Sequence, residues 1–379
     1  MLTLRDSPSQ AAFRRSIRAW AGEHLPERLC WSTDRGRLLA LDRLLSQHGL
    51  LAPGWPAEYG GRGLAPDLEF ILNQELGQAG VQRAMAPSHQ GVNNLGPALI
   101  RHGTAAQKRR YLPAILAADE LWCQGFSETE AGSDLASVRM TARPDGGDFV
   151  VDGAKIWTSG AEHAHWIYLL VRTGTRQDRH RGLSFLVAPM TSPGIAVQPI
   201  EQITGGSDFC QVTFDGVRVP RQNLIGPAGQ GWRVAMTLLS AERLSGRHRY
   251  GRFRRELAML AGSLAGASPD DGAPIQPDGL RDLGRLVADI EGMAALARRI
   301  ESVRAAGRDP GALPSVNKLW WPAAHQRMAE TGLLRPVGRG ADPGHWYRQW
   351  LATRPESIYG GAAQIQRNII AERFLGLPR

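Results

Sequence analysis

The chain has 379 residues, 42% of them hydrophobic and 21% charged, enough for a sizeable core divided among two or three domains. Its 45 basic and 36 acidic residues give a formal charge of +9, but the charge is scattered and no recognition motif accompanies it, so no nucleic-acid partner is expected. No apolar run nears a membrane span, "MLTLRDSPSQ" lacks a signal peptide's pattern, and Cys30, Cys123 and Cys210 form no CxxC, so we expect a cytoplasmic protein with no membrane contact, disulfide framework or zinc site.

Residues 1–118 read as helical. "FRRSIRAWAGEHL", "GRLLALDRLLSQHGLL" and "DLEFILNQELGQAG" space their apolar residues by three and four. "GWPAEYGGRGLAP" breaks two of these helices with turn residues. From 119 to 226 the pattern is that of strands. "FVVDGAKIW" predicts a hairpin at Asp152-Gly153, and "HWIYLLVRT", "LSFLVAP", "IAVQPI" and "VTFDGVRVP" follow at strand length. Helical spacing returns over 227–379, interrupted by the Gly/Pro-rich "ASPDDGAPIQPDG" and "RPVGRGADPG". Arg247, Arg249, Arg252, Arg254 and Arg255 cluster there, either as a solvated face or subunit contact or as a patch for a phosphorylated ligand or acidic partner.

Two stretches carry chemistry. "WCQGFSETEAGSD" (122–134) sets hydroxyls at Ser127, Thr129 and Ser133 beside the free backbone of Gly125 and Gly132. Such a loop suits the polar edge of a heterocycle and a pyrophosphate, or is simply a polar loop. "KIWTSGA" (155–161) offers Trp157 to cover a ring and Ser159 to bond it, although a strand Trp also serves as core.

Together these stretches resemble the acyl-CoA dehydrogenase family. "GWPAEYGG", "GPALIRHGTAAQKRRYLP", "FDGVRVP" and "QIQRNIIAERFLGLP" fall in that family's order, so the likeness covers nearly the whole chain. It implies an α+β multidomain fold: an N-terminal helical domain, a central β-barrel-like domain and a C-terminal four-helix bundle, with FAD between the last two. It further implies an acyl thioester substrate, of CoA or a carrier protein. An electron-transfer flavoprotein or another acceptor would take the electrons. The assembly would be a homodimer, a homotetramer or a heterotetramer with a related chain.

By that resemblance Trp122, Gln124, Phe126 and Ser127 line the isoalloxazine. Ser133 lies near the pyrophosphate or the pantetheine arm, and Trp157 and Ser159 stack on and bond the ring. Glu128 and Asp134 are expected to hold the loop by accepting backbone hydrogen bonds. Gln364 remains as a contact to the cofactor, Arg243 matches a position that touches CoA, and Tyr359 and Gly360 wall the acyl pocket.

Removing a weakly acidic Cα proton needs a positioned, partly desolvated base. Many family members carry a glutamate directly after the tyrosine of "SIYGGAAQIQRNII", where this chain has Gly360. The family's second location is the first bundle helix. There Val234, Leu238 and Glu242 are spaced four apart and share a face. A carboxylate on an apolar face is costly unless paired or functional, so Glu242 is expected to be the base, with a structural ion pair as the other reading and Glu356 a distant substitute.

The family's Arg-x-x-Phe-Gly and Gln-x-x-Gly-Gly-x-Gly segments are missing. Their loss resembles a subfamily in which related chains pair with fewer flavins than chains, leaving a flavin-poor subunit or a flavin monooxygenase as alternatives. Gly360 through Ala363 are all small, which points to a branched or ring-bearing acyl group.

Overall fold

The computed structural model describes residues 6–25, 34–83, 86–244, 249–265, 277–335 and 343–378. In chain order the first helices are α1 (Pro8–His24), α2 (Arg35–Gln47) and α3 (Pro66–Gln78). A π-helical turn, Gln90–Leu95, runs into α4 (Gly96–His102), followed by α5 (Ala105–Leu116). Strands β1 (Trp122–Gly125), β2 (Thr141–Asp145), β3 (Asp148–Ser159), β4 (Trp166–Arg172), β5 (Leu183–Pro189), β6 (Ile195–Ile200) and β7 (Phe209–Pro220) come next. The C-terminal helices are α6 (Gly231–Leu244), α7 (Arg249–Ala265), α8 (Pro277–Ala305), α9 (Leu313–Leu334), α10 (Pro343–Thr353) and α11 (Ala363–Arg373). The order α, β, α is the expected one.

Contacts divide the chain into two units, one of Thr33–Gly63 with Met85–Glu242 and one of Met1–Ser32, Leu64–Ala84 and Arg243–Arg379. In the first unit the seven strands form one curled sheet, ordered β1-β4-β2-β3-β7-β6 with β5 on β4. β4 and β5 are continuous apolar runs because both of their faces are covered. Ile167, Leu169 and Val171 of β4 face a core with Val151, Leu186, Val212 and Val217. On its other face Tyr168 stacks on Phe185 with centroids 5.8 Å apart. Thr104 starts α5 with a reciprocal cap to Gln107, which fixes where that helix begins.

The hairpin expected at Asp152-Gly153 is not there. β3 runs straight through it, and the chain reverses at Gly146-Gly147, where Asp145 pairs with Asp148. The β3–β7 register shifts between Val151 and Gly153, and Gly153 absorbs the bulge at φ +137°. The Asp152 side chain accepts from Gly216 N at 2.8 Å, so this Asp-Gly pair closes a bulge across strands instead of a turn.

In the second unit α7, α8, α9 and α10 share a core of Tyr250, Phe253, Leu260, Ile290, Trp321, Met328 and Trp346. α1 is tied to α3 by Arg14 and Arg18, which bracket the buried Glu75 at 2.6 and 2.8 Å. The arginine cluster on α7 is taken apart by the fold. Arg249 lies over Trp321, Arg252 binds Glu256, and Arg255 donates to Gln78 O. Arg254 remains exposed, 3.5 Å from Glu291, so the described members form no free patch. Arg247 lies outside the described residues. No described helix is long and apolar enough to cross a membrane.

Candidate active site

The two chemistry-bearing stretches meet in the first unit. Ile156 N donates to Ser127 O at 2.9 Å, which lays the loop after β1 along the end of β3. Beneath this contact the fully buried Lys155 donates to Phe126 O at 3.1 Å, Leu170 O at 2.7 Å and Glu128 Oε1 at 2.8 Å. Glu128 in turn accepts from Arg139 N at 2.6 Å and Met140 N at 3.0 Å. It therefore has the loop-holding role expected of it. For Asp134 the structure shows something different: its side chain is exposed, and it is the backbone carbonyl that accepts from Ser137.

Trp157 is presented outward. A second register shift, between Lys155 and Thr158, puts it at φ +60° with 55% of its surface exposed. A left-handed tryptophan costs roughly 1–2 kcal/mol, and such strain gathers where a side chain must be aimed. Its edge rests on Phe209, with centroids 6.3 Å apart. Ser159 and Ser127 are half-buried nearby along the same pair of segments, while the Thr158 hydroxyl is buried with no partner among the described residues.

The Trp122 and Phe126 side chains are buried, leaving their backbone for the ring contact that the resemblance implies. Trp122 is 2% exposed, stacked on Trp166 at 5.3 Å and edge-on to Tyr111, and Phe126 packs edge-on to Tyr168 and Phe185. Trp122 in β1 and Phe126 just after it alternate with Cys123 and Gly125 and are drawn into an aromatic layer, because their large apolar rings gain most by burial there. They back the site. Gln124, between them, is only half-buried and reaches Tyr168 Oη at 2.8 Å. Ser133 is exposed at the far end of the loop.

Tyr168 is a buried polar residue beside the signature strand that sequence reasoning did not single out. Its buried hydroxyl also lies 2.6 Å from Gln90 Oε1, which accepts from Asn94 Nδ2 at 2.8 Å. The hydroxyl's one proton thus faces two carboxamide oxygens, Gln90 Oε1 and Gln124 Oε1, and is shared between them. Burial first, and then the negative charge of Glu242, hold the phenol well above its usual range, keeping it a neutral donor. Glu242 thus acts electrostatically on the group that Gln124 contacts.

α6, which carries Glu242 on its last turn, is seated by burying Val234, Ala235 and Leu238 and by a 2.8 Å bond between Thr237 and His102 of α4. Glu242 itself is half-buried, with its Oε2 shielded from solvent. Arg243 follows it, also half-buried.

Tyr359, Gly360 and Gln364 belong to the second unit. Gly360 and Gly361 take φ 62° and 90° to turn into α11. Gln364 is exposed, whereas Gln366 is buried and donates to Gly361 O at 3.2 Å. At φ +90° any side chain on Gly361 would be strained, so the second glycine is required by the turn. Glu356 is buried against His325, its carboxylate oxygens 2.8 and 2.9 Å from Nδ1, and is engaged structurally. Of the cysteines, Cys123 and Cys210 are free and buried.

The N-terminal, middle and C-terminal domains of acyl-CoA dehydrogenases match residues 7–119, 123–217 and 229–375. The acyl-CoA dehydrogenase IpdE1 of Mycobacterium tuberculosis is 38% identical over 97% of both chains. Among solved structures, the Tcur3481-Tcur3483 steroid ACAD superposes with TM-score 0.86 at 31% identity, and the ChsE4-ChsE5 complex from Mycobacterium tuberculosis with 0.82 at 28%, each over the full length of both chains. With all three domains in order and a full-length relative at that identity, the chain belongs to the acyl-CoA dehydrogenase family, flavoprotein oxidoreductases that depend on FAD.

Proposed function

We propose that the chain carries out α,β-dehydrogenation of an acyl thioester, with Glu242 taking the proton from Cα. The observation behind this is the convergence on Tyr168. The signature residue Gln124 bonds it directly, and Glu242, arriving on a separate helix of the same unit, acts on it by charge. The residues present fit a flavin. An outward tryptophan held at a strained φ, two half-buried hydroxyls and a buried, partnerless Thr158 hydroxyl suit a planar ring with a polar edge. Gln124, Ser127, Trp157 and Ser159 would hold that ring, with Trp122 and Phe126 behind them. Ser133 would meet the pyrophosphate or the pantetheine arm. Gln364 stays a proposed cofactor contact, and Arg243, Tyr359 and Gly360 proposed substrate contacts. Bound FAD supplies the acceptor for the hydride that leaves Cβ. Glu242 holds the Cα proton, and the Gln90–Tyr168–Gln124 bonds keep the signature strand's polar edge in one orientation.

The relative named a steroid ACAD, together with the small side chains from Gly360 to Ala363, supports a ring-bearing or otherwise bulky acyl group. Both solved relatives are named as pairs of chains, which supports a heteromeric assembly with a related partner and, as a second reading, a flavin-poor subunit. Purified alone, the chain is expected to be yellow and to bleach anaerobically with a suitable thioester. A colourless preparation that turns yellow only with a related chain would favour the second reading.

Trp157→Gly tests the ring-holding face. Releasing the φ strain offsets the lost contact with Phe209, so the melting temperature should change little. Flavin affinity should fall by about tenfold for the roughly 1.4 kcal/mol of stacking removed. Unaltered flavin release on dilution would remove Trp157 from the site.

A further inference from the structure

The second unit contains a charged cluster that proton abstraction does not use. His325 of α9 is wedged between two carboxylates, with Nε2 3.1 Å from Glu256 of α7 and Nδ1 2.8 Å from Glu356 on the 3-10 turn Arg354–Ser357. All three are between 1 and 4% exposed. Around them, Arg252 Nε binds Glu256 at 2.7 Å and Lys318 Nζ donates to the Glu356 carbonyl at 2.5 Å. Lys318 also lies 5.1 Å from the Tyr359 ring centroid, and Arg249 and Lys318 both lie over Trp321. These charged groups come from α7, α9 and the 3-10 turn.

A neutral imidazole has one N–H, and two ionised carboxylates ask for two. His325 is therefore held as imidazolium, giving four cations (Arg249, Arg252, Lys318, His325) around two anions. The two carboxylates raise its affinity for a proton beyond what burial takes away. The same geometry grips a functional segment. Glu356 lies three residues before Tyr359, and Gln366 holds Gly361 from the other side, so the turn Tyr359–Gly361 is pinned at both ends.

We propose that His325 is a positioning residue: by bridging Glu256 and Glu356 it fixes the Tyr359–Gly361 turn and, through it, the wall against which the acyl thioester binds. The part concerning the thioester rests on the reading of Tyr359 and Gly360 as substrate contacts. When His325 loses its proton, one carboxylate faces a lone pair and the grip on Glu356 weakens. Its proton affinity is raised on folding, so the bridge is intact below pH about 6.5 and is lost as pH rises through the higher folded value.

The test measures amide hydrogen exchange over residues 356–362, corrected for intrinsic rates, alongside KM and kcat of the holoenzyme. In His325→Gln, protection of this segment should fall tenfold or more while the interior of α8 keeps its own. KM should rise about tenfold with kcat changed less than twofold. Wild type should show the same loosening at alkaline pH. Glu256→Gln separates the bridge from general packing. Its amide can accept from Arg252 and donate to His325, so a neutral imidazole can keep its bond to Glu356. This variant should hold the turn and lose the pH dependence, and it serves in place of His325→Gln if that variant does not fold. Unchanged protection in His325→Gln, a loosened turn with unchanged KM, or Glu256→Gln loosening like the histidine variant would each overturn the proposal. If no thioester ever bleaches wild type, the dehydrogenase reading fails and the substrate part of this proposal with it; exchange alone then decides whether His325 fixes the turn.

Discussion

Glu242→Gln is expected to give a yellow protein whose flavin no longer bleaches with an acyl thioester. The replacement keeps the side chain's size and leaves Val234, Ala235 and Leu238 to seat α6, so folding and flavin content should survive. What goes is the carboxylate. A positioned general base contributes roughly 10²–10⁴ in rate, or about 3–5 kcal/mol of barrier, so anaerobic bleaching should slow by that range. The substitute base makes a useful contrast. Glu356 has both oxygens within 2.9 Å of the His325 ring and lies in the cluster that holds the turn before α11. Glu356→Gln should therefore lower the melting temperature and raise KM, leaving proton abstraction largely in place once substrate is bound. If Glu242→Gln turned over at the wild-type rate, the base would have to be sought elsewhere.

That assignment could be approached from the chain alone because an absence, Gly360, directed attention to a four-residue spacing on one helix. Other parts of the site were legible only in part. Strands such as "LSFLVAP" and "IAVQPI" keep their written bounds, since Gly and Pro punctuate runs that pair along their whole length. The Asp-Gly signal misled because its meaning depends on a distant partner: Gly216, 64 residues on, takes the Asp152 carboxylate that a local turn would have used. Tyr168 was hidden for a similar reason. Inside "WIYLLVR" it reads as core, and nothing local says that Gln90, 78 residues earlier, will meet its hydroxyl. The π-turn carrying Gln90 and Asn94 is a hydrogen-bond register and leaves no apolar period to read. The arginines of α7 looked like a patch because they are adjacent in sequence. Helical rotation sends Arg252 and Arg255 to different partners.

Glu128→Gln should be the most destabilising single change in the loop. At pH 7 a Lys155 left without counter-charge folds neutral, which from a folded value of about 8 costs about 1.4 kcal/mol. One of the two acceptors for Arg139 N and Met140 N is also lost, about 1–3 kcal/mol more. Lys155 has no exposed surface, and burial pushes its pKa down to about 8, with Glu128 as the opposing attraction. A lysine with a folded value near 8 and an unfolded one near 10.5 binds fewer protons folded than unfolded in that window. Folding is therefore least favoured at and below pH 8 and gains as pH rises toward 10.5. Its burial costs about 3 kcal/mol at neutral pH, since each tenfold loss of proton affinity is worth about 1.4 kcal/mol. Taking away Glu128 moves the folded value lower still. The stability gap between wild type and Glu128→Gln should then be wider at pH 7 than at pH 8 and narrow further as pH approaches 10, where the lysine enters the fold neutral in both proteins. Thermal melts at a series of pH values measure this gap, and a gap that stays constant would mean that Glu128 acts on the loop backbone alone. Flavin release should follow the same profile. The ammonium that Glu128 neutralises also binds Phe126 O, and Ser127, the next residue, is the one that lies along β3.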